Sequence, residues 1–115
     1  MKQEDAYITA ATLKLLEKAG VDCKEGLPTQ ARVMRWLREE YRMHVMAAPY
    51  RYPDKWQVML VFLGRSKEGD DKYDMCNLEK TYSSYEKAAE DGIKYVLKEI
   101  VLKIVDYNKR EISKK

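Results

Sequence analysis

The stretch Trp56-Gln57-Val58-Met59-Leu60-Val61-Phe62-Leu63 decides the fold. Trp56, Val58, Leu60 and Phe62 alternate with Gln57, Met59, Val61 and Leu63. A repeat of two puts the sets on opposite faces of a β-strand. Both sets become apolar toward Leu63, which suits a central strand covered on both sides. On its N-terminal side, Tyr52-Pro53-Asp54-Lys55 reads as a turn, with proline at a favoured position. Before the turn, Met43–Arg51 is a second strand. It carries Val45, Ala47 and Pro49 on one face and His44, Met46, Ala48 and Tyr50 on the other. Pro49 has no N–H to donate, so it marks a strand end or an edge strand. On the C-terminal side, Gly64–Lys72 is polar and contains Gly69-Asp70-Asp71, a hairpin loop. Tyr73–Thr81 then forms a third strand, with Tyr73 and Met75 set against Cys76 and Leu78.

Helices flank these strands. Ile8, Leu15, Leu16 and the alanines between them give an amphipathic helix over 5–19, stopped by Gly20. Thr29 is a natural N-cap for a second helix over 29–42. Val33, Met34, Leu37 and Tyr41 fall within about 100° of its wheel and form a core stripe, with Trp36 on the flank. Ser83-Ser84-Tyr85-Glu86 reads as a capping box, with Ser83 capping and Glu86 reaching back. Tyr85, Ala89, Gly92, Ile93, Val96, Leu97, Ile100 and Ile104 then recur at helical spacing, which predicts a long helix over 83–107. Residues 108–115 read as a basic tail that frays. The expectation is one domain over 1–115, with the sheet over 43–81. Its class is α+β: a two-layer sandwich of order α-α-β-β-β-α, with a three-stranded antiparallel sheet packed against helices.

Composition narrows the function classes. The 115 residues suffice for one core. A hydrophobic share of 45% argues against disorder, and a charged share of 36% without a long apolar run argues against a membrane span. Met1-Lys2-Gln3-Glu4-Asp5 lacks the apolar stretch of a signal peptide, so a cytoplasmic protein is expected. The net charge of +3 is spread along the chain and demands no polyanion.

The residues that carry chemistry are scattered. Cys23, His44 and Cys76 lack the close spacing of a zinc site and read as ordinary reduced or strand residues. Gly20, Gly26, Gly64, Gly69 and Gly92 form no phosphate-cradling motif. Asp70, Asp71 and Asp74 surround a turn without the ligand pattern of an EF-hand. No catalytic residue, metal ligand or cofactor is therefore expected.

Three surface features point to binding. Arg32, Arg35, Arg38 and Arg42 project from the side of the second helix opposite its core stripe, a row suited to phosphates or an acidic partner. Glu39, four residues after Arg35, tempers it. Tyr50, Tyr52, Trp56 and Tyr73 gather around the sheet and its first turn, where aromatics stack bases or anchor a protein. Finally, Ile100, Val101, Leu102, Ile104 and Val105 make the last helix apolar almost all round. That end packs either on the first helix or on a second copy of the chain.

Two resemblances add to this. The order α-β-β-β-α from Thr29 to about Ile100 resembles the double-stranded RNA-binding domain. That family uses a lysine cluster at the start of its last helix. Here the stretch is Ser84-Tyr85-Glu86-Lys87-Ala88-Ala89-Glu90-Asp91, with one lysine and three acids. The family's histidine-bearing first hairpin turn is replaced by Tyr52-Pro53-Asp54-Lys55. The resemblance therefore implies the topology without the RNA-binding residues. Leu13–Gly20, Pro28-Thr29-Gln30, Trp36-Leu37-Arg38-Glu39 and Tyr82–Leu97 resemble small proteins without an established activity from Bacteroides-type bacteria, their phages and mobile elements. That likeness implies a bacterial cytosolic origin and carries over no site residue. The expectation is a non-enzymatic protein-interaction or accessory module, with self-association through the C-terminal helix as one form. Nucleic-acid binding through the arginine row is the alternative.

Overall fold

In a computed structural model, residues 6–24, 26–51, 55–65 and 71–113 are described. The chain folds as α1 (Ala10–Lys18), α2 (Gln30–Tyr41), β1 (Met43–Arg51), β2 (Lys55–Arg65), β3 (Asp71–Tyr82) and a long C-terminal helix. That helix is α3 (Tyr85–Val96), one π-helical turn (Leu97–Val101) and α4 (Leu102–Ser113). The three strands form one antiparallel sheet of order β1-β2-β3, so the stretch around Val58 is central as expected. The helices pack against the sheet in an α+β arrangement. The turn at 52–54 and the hairpin loop at 66–70 lie outside the described residues.

Register explains which side chains meet the helices. Val45 pairs with Leu60 and Ala47 with Val58, so these face the same way. Met43, Val45, Val58 and Leu60 are buried beneath Ala88, Ala89, Ile93, Val96, Leu97 and Val101. Val33, Met34 and Leu37 of α2 and Leu16 of α1 complete this core. Gly92 lets α3 lie close to the sheet. A Cβ there would come within 2.7 Å of Val45 Cγ1 and 2.9 Å of Val58 Cγ1.

Five boundaries differ from the sequence reading. The first helix begins at Ala10 rather than Asp5, because Thr9 caps it by accepting the Thr12 N–H. Before Thr9 the chain is tied down by the segment that precedes α2: Ile8 N–H donates to Pro28 O at 3.1 Å, and Gln30 N–H to Ala6 O at 2.8 Å. Ser84, not Ser83, caps α3 by accepting the Lys87 N–H at 3.2 Å. Lys87 then occupies the position a capping-box glutamate needs, and Glu86 serves only as an acid in the positive first turn. The long helix runs to Ser113 instead of fraying after Tyr107. Lys109, Arg110 and Glu111 are good helix formers, and the cations suit the negative helix end. Lastly, β2 and β3 are each longer than read, reaching Arg65 and starting at Asp71.

Candidate functional site

The arginine row is exposed but uneven. Arg35 donates to Glu39 at 2.9 Å, which neutralises it across one helical turn. Arg32 and Arg38 have no ion-pair or hydrogen-bond partner for their guanidinium groups among the described residues. Arg42 has left the helix and sits in the left-handed region at φ 53°. Its backbone N–H still closes α2 onto the Arg38 carbonyl.

Of the four aromatic residues, Tyr73 sits apart from Trp56 and Tyr50. Trp56 pairs with Pro49 and Tyr82, packs half-buried against the core and meets the edge of Tyr85 at 5.6 Å. Tyr50 is exposed where β1 shifts register. Tyr73 pairs with Leu63, seven residues along β2 from Trp56 and therefore about 24 Å away. Tyr52 lies outside the described residues, as does the side chain of Tyr73. What forms around Trp56 is an aromatic corner with Tyr82 and with Tyr85, which was expected on the core stripe and is instead exposed. The Tyr82 hydroxyl donates to the Asp91 carboxylate, and Lys80 lies 5.4 Å from the Tyr82 ring centre. Burial first, then that hydrogen bond and the Asp91 charge, push the Tyr82 phenol well above its ordinary pKa.

A buried polar cluster joins the three N-terminal helix ends. Glu90 is 9% exposed. One carboxylate oxygen accepts from the Thr12 hydroxyl, and the other from the Thr9 N–H at 3.1 Å and the Gln30 amide at 3.4 Å. The same Gln30 amide donates to Glu86 O at 2.9 Å. Buried polar groups need such partners, and each is met here. Two of the three acids at the start of the long helix, Glu90 and Asp91, are thus occupied inside the fold.

His44 is half-buried and pairs in register with Val61. Cys23 is half-buried, and burial followed by the charges of Glu17 and Asp22 holds its thiol above the ordinary value, so the reactive thiolate is disfavoured. Cys76 is exposed and free. Among the described residues no group of three His, Cys, Asp or Glu side chains is arranged to hold a metal. No helix among them is long and apolar enough to cross a membrane.

The most distinctive surface lies at the far end of the sheet. Met43, Leu60, Phe62 and Cys76 of the sheet and Tyr95 and Ile100 of the long helix enclose an apolar groove of about 260 Å3. Tyr95 and Ile100 are five residues apart, and the π-helical turn places both against the same groove. Ile104 and Tyr107 continue from Ile100 at i+4 and i+7, on one face of α4. Tyr95, Ile104 and Tyr107 are 38%, 41% and 63% exposed, beside Phe62 at 42% and Met75 at 65%. On the neighbouring face, Val101 is buried and Val105 packs against the core. The apolar run at 100–105 therefore serves two surfaces, one packed within the chain and one open.

No protein-family model, no curated protein and no solved structure matches this chain.

Proposed function

We propose that this chain is a protein-interaction module rather than an enzyme, and that a second copy of itself is the partner. The single observation that carries this reading is the exposed stripe of Tyr95, Ile104 and Tyr107 lying beside an apolar groove of matching character. Stripe and groove are adjacent on one molecule, so a two-fold arrangement lets each copy insert its helix face into the other's groove and closes the assembly. Side chains of this size carry about 150–250 Å2 when aromatic. Phe62, Met75, Tyr95, Ile104 and Tyr107 at their observed exposures thus present roughly 500 Å2 per copy. Two such faces bury about 1,000 Å2, the lower bound for a specific interface. A weak, concentration-dependent dimer is the form this predicts.

Sedimentation equilibrium tests it across a range of protein concentration. The expected result is a dimer that becomes monomeric in Ile104→Glu, with unchanged circular dichroism because Ile104 is exposed. A wild type that stays monomeric at about 500 μM, weaker than any useful dimer constant, overturns the reading.

A second reading, nucleic-acid binding through Arg32, Arg35, Arg38 and Arg42, is supported by the guanidinium groups of Arg32 and Arg38, which have no partner among the described residues. The α-β-β-β-α order shared with the double-stranded RNA-binding domain also favours it. The acids Glu86, Glu90 and Asp91 at the start of the long helix weigh against it. It requires salt-sensitive anisotropy changes with duplex RNA or DNA that disappear in Arg35→Glu/Arg38→Glu.

A further inference from the structure

The end of α1, residues 21–24 and 26–28 and the first two turns of α2 line a cleft of about 490 Å3. We propose that this cleft binds a small amphipathic carboxylate, with its apolar body on Trp36 and its carboxylate on Arg32. Pockets of about 300–1,000 Å3 are the size that holds small organic ligands. The floor is apolar: Leu16 and Val33 are buried, and Trp36 is half-buried and braced edge-on by Tyr41 at 5.4 Å. Leu27 and Pro28 form the lip.

The cation at the mouth is what selects the ligand's head group. Arg32 and Trp36 are one helical turn apart, so their Cβ atoms lie about 5–6 Å from each other on one face. The Arg32 guanidinium has no partner among the described residues. Its planar fork fits a carboxylate through two parallel hydrogen bonds. Lys24 also lines the cleft, but it lies 3.8 Å from the Asp22 carboxylate and is already paired. Asp22 lines the cleft as the other half of that pair, so Arg32 is the one unpaired charge among the described lining residues. A single arginine charge beside an aromatic wall matches a monocarboxylate with an apolar body better than a dianionic phosphate.

Free acids and peptide C-termini share this chemistry, and two probe pairs separate them. Trp56→Phe leaves Trp36 as the sole tryptophan, so its emission reports on the cleft. That variant is titrated with 3-phenylpropionate against 3-phenylpropanamide, and with acetyl-Leu-Phe as free acid against its amide. Ionic strength is held constant. The expected result is a saturable change with a Kd below about 1 mM for an acid and at least a tenfold loss for its amide. Arg32→Gln should lose the same factor, while Arg51→Gln, an exposed arginine at the end of β1, keeps full affinity. Tighter binding of the dipeptide acid assigns the source to a peptide C-terminus, and the reverse assigns it to a free acid. Equal binding of acid and amide, equal losses in Arg32→Gln and Arg51→Gln, or no saturation by about 10 mM overturns the proposal. Sedimentation of the same samples keeps this result separate from the dimer reading, because the cleft and the groove share no lining residue.

Discussion

The two halves of the C-terminal helix are built on opposite principles. Before the π-helical turn, α3 lies against the sheet with no room for a Cβ at Gly92, and its Glu90 is bonded to α1 and α2. After the turn, α4 keeps Val101 and Val105 inward but presents Ile104 and Tyr107 to solvent. Among the described residues the first half leaves no buried side-chain nitrogen or oxygen without a partner, while from Tyr95 at its end onward the helix leaves apolar area uncovered. Polar satisfaction fixes one arrangement of helices. Uncovered apolar area gains free energy only when something else covers it. The same helix therefore specifies the fold at one end and offers a binding surface at the other.

The largest effect that would break this contrast is at Glu90. Truncation in Glu90→Ala strands the Thr12 hydroxyl, the Thr9 N–H and one Gln30 bond together. The expected cost is about 3 kcal/mol in urea unfolding, from several buried donors losing their acceptor at once. Oligomeric state should follow only the folded fraction. Glu90→Gln keeps the shape and should cost less. A loss under about 1 kcal/mol in Glu90→Ala would mean that desolvating the carboxylate cancels its bonds, and the two halves would differ less than their geometry implies.

Gly92 sharpens the contrast within the helix. Alanine is the better helix former by about 1 kcal/mol. Yet the added methyl would press on Val45 and Val58, both stiff β-branched side chains in the core. Overpacking typically costs about 1–3 kcal/mol, so after that gain Gly92→Ala should be net destabilising by about 1 kcal/mol, the middle of the remaining range. A more stable Gly92→Ala, by thermal or urea unfolding, would show that α3 can lift off the sheet and is not held as closely as its contacts require.

Most of the architecture was legible because it rests on local periodicity. Alternation in Trp56–Leu63 and the stripe Val33, Met34, Leu37 each survive in the structure as strand and buried helix face. Boundaries were less legible where a long-range bond sets them. The start of α1 depends on residues 6–8 bonding to 28–30, which no local pattern announces. Ser83 and Ser84 are chemically equal as caps, and only the backbone path selects Ser84. The polar cluster was invisible for the same reason: Thr12 and Glu90 are 78 residues apart, and a glutamate on a helix reads as exposed until its partners are known. Tyr73 falls outside the expected aromatic grouping because composition near a turn says nothing of register. Tyr73 pairs with Leu63 and Trp56 with Tyr82. The π-helical turn could not be read either, since Tyr95 and Ile100 share a groove only through the extra residue it inserts.

The smallest effect tests the edge of the packed half. Tyr82 at the end of β3 donates its hydroxyl to Asp91 on α3 and so ties sheet to helix. Tyr82→Phe removes that bond and leaves a half-buried carboxylate short of a donor, for about 1 kcal/mol at neutral pH. The pH dependence isolates the contribution. Burial, the Asp91 hydrogen bond and the Asp91 charge raise the folded phenol's pKa above its ordinary value of 10.0. The folded state then holds this proton more tightly than the unfolded chain does. The resulting stability is complete below pH 10 and is lost as pH rises from 10 toward the raised value. Wild type should therefore fall toward Tyr82→Phe in stability across that window, and the gap between them should narrow. Tyr41, whose pKa is also raised by burial and by Glu40, is present in both proteins and cancels in the difference. A gap that stays constant from pH 8 to 11 would mean that the phenol titrates alike in both states, and that the bond to Asp91 does not anchor α3 to the sheet in solution.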